Sequence, residues 1–146
     1  MDKEYELLLL ENQVCFPTYA VANKILRRYQ PLLKKIDLTY TQYVTMMVMW
    51  EKEVVHEKDL VKALYLQANT LTDLLRKLEK KGYVQITRDE NDKRNIVIRL
   101  TEAGRKLKDA AVSVPKTLIE EHWLTDEEIK TYKALLYKLL TGDWEK

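Results

Sequence analysis

Cysteine occurs once in these 146 residues, at Cys15. One thiol excludes an intramolecular disulfide and is too few for a thiolate metal cage. Glycine and proline are scarce, three of each, so the chain has few turns and a mostly helical fold is expected. The two histidines, His56 and His122, lie far apart without metal-ligand spacing and read as surface residues, and no metal or cofactor is expected. No stretch reaches the ~18 apolar residues of a membrane-spanning helix. Leu7–Leu10, flanked by acids, is no signal peptide. A lone cysteine and no export signal point to the cytoplasm and to no membrane partner. An excess of one charge is also missing: the net charge is only +2. A nucleic-acid role must therefore rest on where the charges lie.

The chain has the length of one domain with a real core. A helical region is expected from about Glu4 to Gln30, with a reset at Pro17 and an end at Tyr29-Gln30-Pro31, followed by a short turn over Leu32–Ile36. Thr39 with Gln42 is a capping box opening a helix to about Glu53. Its Tyr43, Met46, Met47, Val48 and Trp50 make a wide apolar surface. Val54–His56 reads as an extended bridge, and Glu57–Leu64 as a short helix. From Ala68 to about Lys81, Leu71, Leu74, Leu75 and Leu78 fall three and four apart, an inward stripe, with Gly82 as its C-cap. The period then becomes two. Val84 and Ile86, then Ile96, Ile98 and Leu100, form a hairpin around the charged turn 89–93. Thr101-Glu102 opens a helix to about Val114, with a break or a kink at Pro115. Thr125 with Glu128 caps a last helix ending at Gly142.

Two packed helices, the second amphipathic and basic, followed by a hairpin, make a winged helix-turn-helix on a helical body. Opposite the leucine stripe the second helix presents Asn69, Asp73, Arg76 and Lys80, flanked by Thr70, Thr72 and Lys77. Hydroxyl and amide groups suit base edges or phosphate, and the cations suit phosphate or guanine. Asp73 is unusual on such a face. It can accept from a cytosine amino group or orient Arg76 or Lys77. The hairpin adds Arg88, Lys93 and Arg94, with Asp92 placed to hold the Arg94 guanidinium for a narrow minor groove. Duplex DNA is the expected partner. Cys15 lies in the run Glu11–Tyr19 beside Pro17, which suits a helix first turn, where the helix dipole favours a thiolate. A free cysteine is also commonly a small buried hydrophobe.

At this point the chain resembles the MarR family of transcription regulators, and within it the one-cysteine organic-hydroperoxide-sensing (OhrR-like) group. The likeness covers nearly the whole chain. It rests on Leu10–Phe16, Leu38–Tyr43, Trp50-Glu51, Asn69–Thr72, Asp92–Arg94 and Leu100–Glu102. The resemblance implies a single MarR-type domain over 1–146, with dimerisation helices at about 1–36 and 102–146 around a winged helix-turn-helix unit at about 37–101. It implies a homodimer on a near-palindromic operator. It also implies that Cys15 is a redox sensor held by two tyrosines of the partner subunit, with a third tyrosine taking part in the conformational change, and Tyr29, Tyr40 and Tyr19 stand at the matching positions. Asp73 departs from the group, which commonly has proline there. No second cysteine is present to resolve the first.

The resemblance implies that organic hydroperoxide oxidises Cys15 to a sulfenic acid, which a low-molecular-weight thiol caps or which is over-oxidised further, so that a repressor leaves its operator. Two alternatives stay open. One is a MarR-type regulator that binds a small aromatic ligand, with Cys15 structural. The other is a thiol enzyme, which needs a base, a resolving thiol or an oxyanion site near Cys15. None is evident, and no enzyme is expected.

Overall fold

The structure, a computed structural model, describes residues 2–144; Met1, Glu145 and Lys146, at the ends of the expected terminal helices, lie outside the described residues. The chain divides into two compact units, 1–112 and 113–146.

The first unit does not begin with the expected α-helix. Two turns of 3-10 helix, Tyr5–Leu8 and Leu10–Asn12, come first. The Asn12 side chain donates to the Glu6 carbonyl at 2.8 Å, and Gln13 Nε2 donates to the Leu7 and Leu9 carbonyls at 2.7 and 2.8 Å. These amides take acceptors that a continuing helix would use. Helix α1 runs Cys15–Lys34 without interruption. Pro17 sits in its first turn, where amides lack partners anyway. The expected end at Tyr29–Pro31 is corrected: Pro31 lies inside α1. It costs one amide donor to the Arg27 carbonyl. Buried Leu33 and Leu38 beyond it hold the final turn against the core.

Helix α2, Tyr40–Lys52, opens on the expected capping box, with both reciprocal Thr39–Gln42 bonds formed. It buries Tyr43, Met46 and Met49, whereas Met47, expected on the apolar face, is 45% exposed. The bridge Val54–His56 is a true strand, β1. It pairs antiparallel with β3 (Ile96–Leu100), which pairs on its other side with β2 (Val84–Arg88), giving the order β1-β3-β2. Fully buried Ile98 lies between Val55 and Ile86. The free edge of β2 is partly covered: the Ile86 amide donates to the Glu79 carboxylate at 2.7 Å.

Helices α3 (Glu57–Leu64) and α4 (Ala68–Lys80) form the helix-turn-helix, with Tyr65 left-handed at φ 55° between them. Leu60, Leu71, Leu74, Leu75 and Leu78 are buried, so the leucine stripe faces the core as its spacing predicts. Gly82 turns the chain at φ +86°. Helix α5 spans Glu102–Ala111. It packs close on the α4–β2 turn, because a Cβ on Gly104 would stand 2.2 Å from the Tyr83 carbonyl oxygen. Trp50 Nε1 donates to the Gly104 carbonyl at 2.8 Å, tying α2 to α5.

The second unit holds α6 (Ser113–Glu120) and α7 (Asp126–Thr141). Pro115, expected as a break or a kink, lies in the first turn of α6; the interruption falls at Val112, three residues earlier. The Thr125–Glu128 capping box forms in full.

Candidate nucleic-acid interface and thiol site

Helix α4 separates cleanly into two faces. Asn69, Thr70, Asp73, Arg76, Lys77 and Lys80 are exposed opposite the buried leucines. Thr72 is different: it is half-buried, and its hydroxyl lies within bonding distance of Glu57 Oε1 at 2.8 Å and the Ala68 carbonyl at 2.9 Å. It joins α4 to α3. Asp73 pairs with Lys77 one turn on at 3.2 Å. Both side chains are about two-thirds exposed, so the pair contributes little to stability.

The wing is a short hairpin whose tip is organised by aspartates. Asp92 accepts from Arg94 Nε and Nη2, both at 3.0 Å, and from the Arg94 amide at 3.1 Å. This fork holds the Asp92 carboxyl below the usual carboxylate range and leaves the Arg94 side chain 90% exposed. Arg88 Nη1 donates to the Lys93 carbonyl at 2.9 Å across the hairpin. At the wing root, His56 Nε2 stands 3.0 Å from Asp89 Oδ2. Sequence reasoning took His56 for a surface residue and missed this pair. Nothing local signals a partner 33 positions away.

Cys15 is the first residue of α1 and is exposed. Val14 supplies no side-chain cap, so the first amides of the helix have no side-chain acceptor from the N-cap position. Tyr19 lies one turn along and is exposed. Tyr29 and Tyr40 are brought together, their rings edge-to-face with centroids 5.0 Å apart. Tyr43, not singled out from sequence, completes the cluster at 6.0 Å from Tyr29 and 6.3 Å from Tyr40. Burial, reinforced by Tyr40 and Tyr43, pushes the Tyr29 phenol up to about 12. Burial also raises Tyr40. These phenols therefore remain neutral donors at physiological pH. Within one chain Cys15 does not meet them: fourteen residues of α-helix at ~1.5 Å each separate it from Tyr29 by about 21 Å.

The profile of a family described as Transcriptional regulator SarA/Rot matches residues 27–111. The organic hydroperoxide resistance transcriptional regulator of Bacillus subtilis is 38% identical over 140 residues, covering 96% of this chain and 95% of that protein. The chain belongs to the SarA/Rot family of transcriptional regulators, within the MarR winged-helix group. Another relative of this SarA/Rot chain, the regulator SarZ of Staphylococcus aureus, is 39% identical over 119 residues, covering 82% of this chain and 80% of SarZ. Among solved structures, reduced AbfR bound to DNA superposes with a TM-score of 0.80 at 30% identity, covering 97% of this chain and 99% of that one. AbfR of Staphylococcus epidermidis superposes at 0.75 with 32% identity, over 93% and 95% of the two chains. Like these SarA/Rot and MarR proteins, the chain is a DNA-binding transcription regulator with a winged-helix fold.

Proposed function

We propose that this regulator is a homodimeric, cytoplasmic repressor, not an enzyme, released from its operator when organic hydroperoxide oxidises Cys15. One observation carries the reading: the exposed thiol at the α1 start and the Tyr29–Tyr40 cluster lie too far apart in one chain to meet. A second copy running antiparallel along α1 brings one subunit's thiol to the other's phenols. Exposed Leu7, Leu8, Leu10, Phe16 and Tyr19 supply apolar surface for such an interface. On DNA, α4 enters the major groove and Arg94 the minor groove of each half-site.

The thiolate sulfur attacks a peroxide oxygen. An S–O bond forms, the O–O bond breaks, and the departing alkoxide takes a proton and leaves as an alcohol. Sulfur is oxidised and peroxide reduced by two electrons. A low-molecular-weight thiol then condenses with the sulfenic acid, releasing water and leaving a mixed disulfide. The added bulk at a packed interface changes the spacing of the two recognition helices, which must match half-sites about one helical turn apart.

A cavity of about 640 Å³ lined by Leu26, Arg27, Gln30, Tyr40 and Lys81, among others, favours a second reading, a small aromatic effector with Cys15 structural. One experiment separates the two. Wild type and Cys15→Ser are bound to a labelled duplex selected by the wild type from random sequence, then treated with an organic hydroperoxide and a small thiol. Release of wild type alone, with an adduct on Cys15 by intact mass, is expected. Equal release of Cys15→Ser refutes the redox reading.

A further inference from the structure

Strand β1 ends at His56, and α3 begins at the next residue, Glu57. The two side chains point to different parts of the DNA-reading surface. His56 Nε2 donates to the Asp89 carboxylate at 3.0 Å, across the sheet at the root of the wing. Glu57 Oε1 accepts from the Thr72 hydroxyl on α4 at 2.8 Å. Both contacts are partly shielded, Asp89 being 23% and His56 38% exposed.

Asp89 in turn shapes the whole wing turn. Its Oδ1 accepts the Asn91 amide at 2.9 Å, and its own amide donates to the Asn95 carbonyl at 2.9 Å. The Asn95 amide donates to the Asp92 carbonyl at 3.0 Å. Asp92 forks Arg94. An unbroken run of bonds thus leads from His56 through Asp89, Asn95 and Asp92 to the exposed guanidinium. His56, Glu57, Lys58 and Arg94 also border one small hollow of about 120 Å³, so β1, α3 and the wing converge there.

We propose that His56 and Glu57 are positioning residues for DNA recognition: adjacent side chains, one gripping the wing and the other the recognition helix, set the distance between Arg94 and the outward face of α4. Neither touches DNA. They decide whether the minor-groove and major-groove contacts can be made together on one half-site, which is a matter of specificity rather than of charge. The inference rests on the reading that α4 and the wing both contact DNA.

The test uses full-length protein with two probes, the duplex selected by the wild type from random sequence and an unselected random duplex. Losing a hydrogen bond to a charged group, His56→Ala and Asp89→Ala each weaken binding to the selected duplex about tenfold and to the random duplex less than twofold. The double variant is no worse than Asp89→Ala alone, which already loses the His56 bond. His56→Gln, whose amide can still donate, recovers most of the discrimination. Where His56→Ala lowers the melting temperature, His56→Leu replaces it in the comparison with His56→Gln. Unchanged discrimination without the donor, or a glutamine as poor as alanine, overturns the inference. Arg94→Ala is measured in parallel. Loss of affinity there, with no effect at His56, defeats only the positioning role. No effect at Arg94 defeats the wing reading and the inference with it.

Discussion

Sensing in trans can be tested by mixing two defective subunits. One carries Cys15→Ser with its tyrosines intact. The other keeps Cys15 but carries Tyr29→Phe. Along α1 the two positions are about 21 Å apart, against the roughly 3.5 Å that a hydrogen bond to sulfur or oxygen spans. If the thiol uses its partner's phenol, the mixed dimer holds one intact pair, the thiol of the second subunit against the Tyr29 of the first. If the pairing were within one chain, no intact pair would remain. Phenylalanine keeps a ring at the edge-to-face contact with Tyr40, 5.0 Å between centroids, so the loss is confined to a hydroxyl. A hydrogen bond to a charged group contributes about 1.5–3 kcal/mol, which corresponds to roughly a tenfold to hundredfold slowing of Cys15 oxidation in the Tyr29→Phe homodimer. Mixed dimers, isolated with two different affinity tags, are exposed to hydroperoxide, and sulfenate is trapped and followed by mass. The expected rate per thiol is that of the wild type. A mixed dimer as slow as the Tyr29→Phe homodimer refutes pairing in trans.

Three further outcomes follow from the geometry. Because the Tyr29 phenol is raised from 10.0 to about 12 by burial, its folding contribution is complete below pH 10 and is lost as pH rises towards 12; the denaturant midpoint should fall in that window, more in the wild type than in Tyr29→Phe. Gly104→Ala would put a Cβ 2.2 Å from the Tyr83 carbonyl oxygen and 2.8 Å from Leu100 Cδ1; it should cost about 1–3 kcal/mol or more in urea unfolding, and a stability equal to wild type would show that α5 can move away freely. Asp73→Ala releases Lys77 from a 3.2 Å exposed pair; binding to random duplex should be equal or tighter while the preference for the selected duplex falls, and a joint loss of both affinities would assign Asp73 to holding the helix instead.

Much of the helix-turn-helix was legible because its signals are local. The leucines of α4, the capping boxes at Thr39 and Thr125 and the alternation in β2 and β3 each act within a few residues, where periodicity and side-chain-to-backbone bonds decide structure. The outward face of α4 and the Asp92–Arg94 fork follow from the same short-range spacing, and the family likeness to redox-sensing regulators was carried by contiguous stretches such as Leu10–Phe16. Features depending on distant partners were not legible. Pro31 reads as a helix end, yet α1 continues because Leu33 and Leu38 find a core beyond it. Val54–His56 reads as a bridge and becomes a strand because β3, more than forty residues later, supplies its hydrogen bonds. Thr72 reads as outward and turns to Glu57. His56 reads as a surface residue and meets Asp89. The sequence alone determined that α2, α3, α4 and α7 are helical and which face of α4 is apolar; only the tertiary structure decided where unsatisfied polar groups and helix ends find partners, because those energies belong to pairs brought together by packing rather than by proximity along the chain.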